Sequence, residues 1–152
     1  MKHLLIICII AITCIQVHAQ DTQNIKAMLD AKHYIFEPRN MTTGQGRLKQ
    51  LDPGYFFTIS GDTLKTYLPY VGGAYTAPLD PSEAGFDFST SDFSYTVSSG
   101  KKNSYDVIVK AKGKTAITDF MLTIYDNGTA YLKVVASDKE PVSYNGNIAG
   151  KK

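Results

Sequence analysis

The sequence has no tryptophan and only two cysteines, Cys8 and Cys14, both near the N-terminus. It has three histidines, and His33 is the one that lies beyond residue 18. Downstream of residue 19 there is therefore no thiol nucleophile, thiolate metal site, redox motif or disulfide. A single histidine excludes a multi-histidine zinc or iron site. A Ser-His-Asp triad would have to use His33, and no Gly-x-Ser-x-Gly elbow accompanies it. His33 reads instead as a junction residue between a helix end and a strand. The chain has no Walker loop, no Gly-x-Gly-x-x-Gly after a strand and no His-Glu-x-x-His. Neither sign of charge dominates, with 16 Lys+Arg against 14 Asp+Glu. That removes the compositional case for nucleic-acid binding and for a disordered polyelectrolyte. No cofactor or resident metal is implied.

Long apolar runs are also scarce. Lys2 and His3 precede an apolar stretch from Leu4 to Ile15, broken only by Thr13. A basic start, a short apolar run and Val17-His18-Ala19 have the form of a secretory signal, with cleavage predicted after Ala19. The run is shorter than the ~20 residues that span a bilayer. No later segment reads as a transmembrane helix. Ala11-Ile12-Thr13-Cys14 offers an alternative, a lipoprotein anchored through Cys14, although Thr13 matches a lipobox poorly. Residues 20–152 are predicted to form a single exported domain, periplasmic or extracellular. Its length of about 133 residues buries enough surface to fold without disulfides.

What the chain does have is tyrosine, 10 in all, and turn residues at regular intervals. Ile25, Met28 and Leu29 make one apolar stripe, which predicts a helix from about Thr22 to Lys32. From His33 the period changes to two. Tyr34 and Phe36 share a strand face that is predicted to end before Pro38, with residues 39–50 as a loop. Further strands are read at Tyr55–Ser60, Thr63–Leu68, Phe86–Ser89, Phe93–Ser98, Tyr105–Lys110, Phe120–Tyr125, Thr129–Ala136 and Val142–Ile148. Gly61-Asp62 and Asp126-Asn127-Gly128 read as hairpin turns, the second with Asn-Gly supplying positive φ angles. The prediction is a mainly β, α+β domain. One N-terminal helix packs on a curved antiparallel sheet or partly closed barrel of about eight or nine strands.

The segment Tyr67-Leu68-Pro69-Tyr70-Val71-Gly72-Gly73-Ala74-Tyr75-Thr76-Ala77-Pro78, after Tyr55-Phe56 and Ile59-Ser60-Gly61-Asp62-Thr63, is distinctive. With Phe86–Tyr95, the Leu122–Leu132 hairpin and Ser143-Tyr144-Asn145-Gly146-Asn147-Ile148, it resembles the domain-of-unknown-function 4251 family of small exported bacterial proteins. The likeness covers essentially all of the chain after the leader. It departs at Gly73, where the family pattern carries a larger, often basic, residue. The resemblance implies export and one domain. It implies no activity.

Three features are candidate sites. Tyr67, Tyr70 and Tyr75 lie in a Pro- and Gly-shaped segment and are predicted to present rings to a ligand, such as a sugar or peptide. The competing reading folds these rings back onto the sheet. Asp80, Ser82, Glu83 and Asp87 are oxygen-rich, but their spacing does not match a calcium loop, and a solvated acidic loop is expected. Lys101, Lys102, Lys110, Lys112 and Lys114 crowd one hairpin, where lysines commonly solubilise a strand or guard an edge. The expectation is a non-enzymatic binding or interaction module of the cell envelope. Its partner would be a small ligand, a glycan or an envelope protein. The alternatives are a small hydrolase using carboxylates or a Ser-Lys pair, and a purely structural envelope protein.

Overall fold

A computed structural model describes residues 25–73, 85–112 and 116–150. Residues 25–30 are helical (α1). The strands are β1 (His33–Thr42), β2 (Leu48–Gln50), β3 (Phe56–Ser60), β4 (Thr63–Leu68), β5 (Phe86–Thr90), β6 (Phe93–Ser99), β7 (Ser104–Lys112), β8 (Ile117–Tyr125), β9 (Thr129–Ala136) and β10 (Val142–Gly150).

All strand pairs are antiparallel, in the order β5-β4-β3-β1-β10-β9-β8-β7-β6, with β2 on the free end of β1. Strand direction alternates along this path, so its first and last members, β5 and β6, run the same way. Only Ser91 and Asp92 separate them, too few for a crossover between parallel neighbours. β6 therefore continues β5 past a kink. The two outer strands of the sheet are halves of one bent strand, and the sheet is nearly closed as a barrel. The mainly β reading, with one short helix and a curved antiparallel sheet, is what is observed.

Alternation decides the inside. Tyr34, Phe36, Phe57, Leu64, Val107, Val109, Phe120, Leu122, Leu132, Val134 and Tyr144 are buried, while most of the residues alternating with them are polar or charged. Phe120 sits at the centre, with ring centroids 4.9 Å from Phe57, 6.4 Å from Phe86 and 6.3 Å from Phe88. Helix α1 buries Ile25 and Leu29. The Tyr95 hydroxyl donates to the Leu29 carbonyl at 3.1 Å. Lys32, at φ 50, ends the helical segment in a left-handed conformation, and its carbonyl accepts the Gly61 N–H at 2.8 Å.

Two expectations are corrected. β1 does not stop before Pro38; it runs on to Thr42, and Leu48–Gln50 of the expected loop returns as β2. Proline is tolerated because Pro38 falls between the stretch of β1 paired with β3 and the stretch paired with β2. At the β8–β9 turn only Gly128 has a positive φ, of 81°, and Asn127 does not. The loop has three residues, and its Gly128 N–H donates to the Tyr125 carbonyl at 3.0 Å. Asn127 instead uses its side-chain oxygen to accept from the Thr129 N–H and hydroxyl, at 3.0 and 2.7 Å.

Two buried phenols make stability depend on alkaline pH. The Tyr144 hydroxyl donates to the Pro69 carbonyl at 2.6 Å. The Tyr34 hydroxyl lies beside that of Tyr95 and makes no well-formed hydrogen bond among the described residues. Burial pushes both above the ordinary phenol range, with smaller contributions from Tyr95 beside Tyr34 and Tyr70 beside Tyr144. Below about pH 10 both folded and unfolded chains keep these protons. Above it the unfolded chain loses them and the folded chain does not, so stability falls by about 1.4 kcal/mol per pH unit per phenol. Urea unfolding at stepped alkaline pH should show this slope, reduced in Tyr34→Phe. Ionisation of both phenols near pH 10 in the folded state would contradict it.

Candidate functional site

The three tyrosines singled out from the sequence do not share one environment. Tyr67 is on the outer face of β4, 44% exposed, with its ring 5.3 Å from Tyr55 and 6.2 Å from Phe56. Tyr70 is partly buried against the core. Its ring meets Phe86 edge-on at 5.8 Å, and its hydroxyl donates to the Gly73 carbonyl at 2.6 Å. Tyr75 lies outside the described residues.

The Tyr-Leu-Pro-Tyr block ties this segment to the core. Leu68 is buried, Pro69 accepts from Tyr144, and Tyr70 packs on Phe86. Gly73 is bonded to the β9–β10 turn, its carbonyl accepting the Glu140 N–H at 3.0 Å and its N–H donating to the Glu140 carboxylate at 3.3 Å. A Cβ at position 73 would sit 3.1–3.4 Å from that carboxyl group. In the same turn the Lys139 ammonium pairs with Asp138 at 2.7 Å and lies 5.8 Å from the centre of the Phe86 ring.

Of the acidic stretch, Asp80, Ser82 and Glu83 lie outside the described residues, and Asp87 pairs across to Tyr67. Lys110 pairs with Asp119 of the neighbouring strand at 3.2 Å, Lys101 and Lys102 occupy the β6–β7 turn, and Lys114 lies outside the described residues. His33 Nδ1 is 3.4 Å from the Ser60 hydroxyl, a cross-strand neighbour in the β1–β3 pairing. Among the described residues no carboxylate orients the ring, and no three His, Cys, Asp or Glu side chains gather to hold a metal.

A different surface, marked by no local sequence pattern, is the outer face where β1, β10, β9 and β8 meet. The β1–β10 register shifts between Pro38 and Asn40, which leaves Arg39 as the extra residue of a β-bulge. A bulge re-aims its side chain. Arg39 is exposed, and among the described residues its guanidinium has no hydrogen-bond or ion-pair partner. Its backbone stays anchored, because the Leu51 N–H donates to its carbonyl at 2.9 Å.

Two concavities meet at this bulge. The first, about 400 Å³, is bounded by Arg39, Asn40, Tyr125, Tyr131, Asn145 and Asn147, with the small residues Ala130 and Gly146 at its floor. The second, about 390 Å³, runs from Arg39 and Asn147 past Glu37 to Leu51 and Tyr55. Arg39 and Asn147 border both. The Tyr131 hydroxyl donates to the Ser143 hydroxyl at 2.7 Å, which fixes its ring above β10. The Asn145 amide donates to the Asn40 side-chain oxygen at 3.1 Å. Each of these amides uses one end in that bond and keeps the other available. Tyr125 and Tyr131 remain 39% and 38% exposed. The surface combines aromatic faces, planar amides and one unpaired guanidinium. Such a set can bind a polar ligand. The signal in the sequence was the alternation Asn145, Asn147 on one strand against Arg39, Asn40 on another, which gains meaning only once the strands are paired.

No curated protein is similar enough to the chain to count as a match. Among solved structures, the chain is similar to the crystal structure of a DUF4251 family protein from Bacteroides eggerthii DSM 20697, with a TM-score of 0.64 and 12% identity. The similarity covers 87% of this chain and 89% of that one. At that identity it speaks for the fold. The family described as "Domain of unknown function (DUF4251)" matches residues 16–148. With a match across most of its length, the chain belongs to the DUF4251 family.

Proposed function

We propose that the protein is an exported, non-enzymatic binding module of the cell envelope, and that it holds an extended ligand on the outer face around Arg39. The observation that carries this is the pair of concavities sharing Arg39 and Asn147, with tyrosines at both far ends. Tyr125 and Tyr55 stand four strand spacings apart along the sheet order, a path of about 19 Å. Such a path suits a linear ligand better than a compact metabolite. The Asp and Glu side chains seen in ion pairs, Asp30, Asp119 and Asp138, lie on separate elements, which favours a binding role over acid–base hydrolysis. Tyr70, packed on the core, serves the fold in this reading, and Tyr67 backs the ring of Tyr55.

Export rests on the leader. The family match begins at residue 16, after the apolar run Leu4–Ile15. Intact-mass measurement of protein from its own cells should find a chain beginning at Gln20. An acylated chain beginning at Cys14 would replace free export with a lipid anchor.

The binding face is tested with a panel of immobilised oligosaccharides and the double variant Tyr125→Ala/Tyr131→Ala. Each ring should contribute about tenfold to affinity, or about 1.4 kcal/mol. Both rings are partly exposed, so the thermal midpoint should stay near wild type. Undiminished binding, or unfolding of the variant, would contradict the proposal.

A further inference from the structure

We infer that the ligand of this face is an acidic oligosaccharide whose carboxylates are spaced apart along the chain, one of them held by the Arg39 fork. The inference rests on the binding role proposed above and names its substrate class. Among the described residues, Arg39 is the one cation bordering the two concavities, and Glu37 the one acid. A lone guanidinium with its donors free matches a single carboxylate, which it can take bidentately. It does not match a polyphosphate chain, which needs a row of cations.

The rest of the surface reads neutral polar groups. Asn40, Asn145 and Asn147 present amides that can donate to and accept from hydroxyls. Tyr125 and Tyr131 at one end, and Tyr55 at the other, offer flat rings for the apolar faces of sugars. A peptide adding as a strand is disfavoured, because this is the flat of the sheet and the backbone groups of β1, β10 and β9 are engaged in the ladder.

Glu37 sharpens the class. It is on β1 two residues before Arg39 and borders only the second concavity. A carboxylate on every sugar would bring one against Glu37 while another sits on Arg39, and like charges at close quarters repel. A chain alternating acidic and neutral sugars places its carboxylate at Arg39 and a neutral unit beside Glu37.

The test uses three soluble probes of matched length with the full mature protein. They are hyaluronan oligosaccharide (alternating acid), chito-oligosaccharide (neutral) and oligogalacturonate (acid at every unit). The hyaluronan probe should bind at least tenfold more tightly than either of the others. Arg39→Gln should bring it down to the chito-oligosaccharide level, Arg39→Lys should recover only part, and Glu37→Gln should admit the oligogalacturonate. These side chains are exposed, and a thermal melt checks that each variant is folded. If the neutral probe binds as well as hyaluronan and Arg39→Gln changes nothing, the acidic class is wrong. Loss of that neutral binding in Tyr125→Ala/Tyr131→Ala would then leave the binding face standing. If no probe binds, both this inference and the face as a glycan site fall.

Discussion

Gly146→Ala is expected to destabilise the native fold severely. A Cβ at Gly146 would lie 2.1 Å from the Glu37 carbonyl oxygen and 2.8 Å from the Glu37 carbonyl carbon and the Pro38 Cα. All three are backbone atoms, so no rotamer change relieves the clash. β1 is pinned on either side of this point, because β3 pairs with it up to Phe36 and β2 from Asn40 onward, while β10 pairs along its other edge. Overpacking at a yielding site costs about 1–3 kcal/mol, and this site does not yield. The cost should exceed 3 kcal/mol, a large part of the ~5–15 kcal/mol that holds a domain together. Urea unfolding of the soluble fraction should show the loss, with most of the protein aggregated. A variant within about 1 kcal/mol of wild type would show that β1 and β10 are not this close. The close approach lies beside the bulge that turns Arg39 outward, so this close backbone passage and the proposed site share one irregularity.

Phe120→Ala should be the most damaging truncation in the barrel interior, at about 4 kcal/mol. Phe120 stands on β8 and meets Phe57 of β3 and Phe86 and Phe88 of β5. It joins strands far apart in the sheet order, so its removal leaves a cavity that no single hairpin can collapse to fill. A fall of about 10–20 °C in Tm is expected, and a fall under about 5 °C would contradict a packed centre. Binding at the outer face should survive below the new midpoint, because none of the rings packed on Phe120, those of Phe57, Phe86 and Phe88, borders the concavities.

Much of the fold was legible because its signals are local. Phe93 to Ser98 alternates cleanly, Asp126-Asn127-Gly128 marks a turn, and Ile25, Met28 and Leu29 form a stripe that does pack. The errors arose where tertiary pairing overrides local preference. Pro38 looked like a strand end because proline lacks a donor, yet it falls in a gap between two partner strands. The continuity of β5 into β6 is invisible locally, since Ser91-Asp92 reads equally well as a hairpin turn.

The candidate site was harder to read for the same reason. The Tyr67–Pro78 segment drew attention by composition, and Tyr70 within it packs against Phe86. Arg39, Asn145 and Tyr131 are unremarked singly and lie far apart in sequence. A bulge and two strand registers bring them together, and neither can be read from periodicity.

In the proposed function, ligand is held on the outer face around Arg39. Amide chemical-shift mapping of the isotope-labelled mature protein, titrated with the hyaluronan oligosaccharide, tests it most directly. The expected result is a contiguous set of shifts at Arg39, Asn40, Tyr131, Asn145 and Asn147, extending to Tyr125 and Tyr55. Shifts confined to the barrel interior, or to the segment after Pro69, would contradict it.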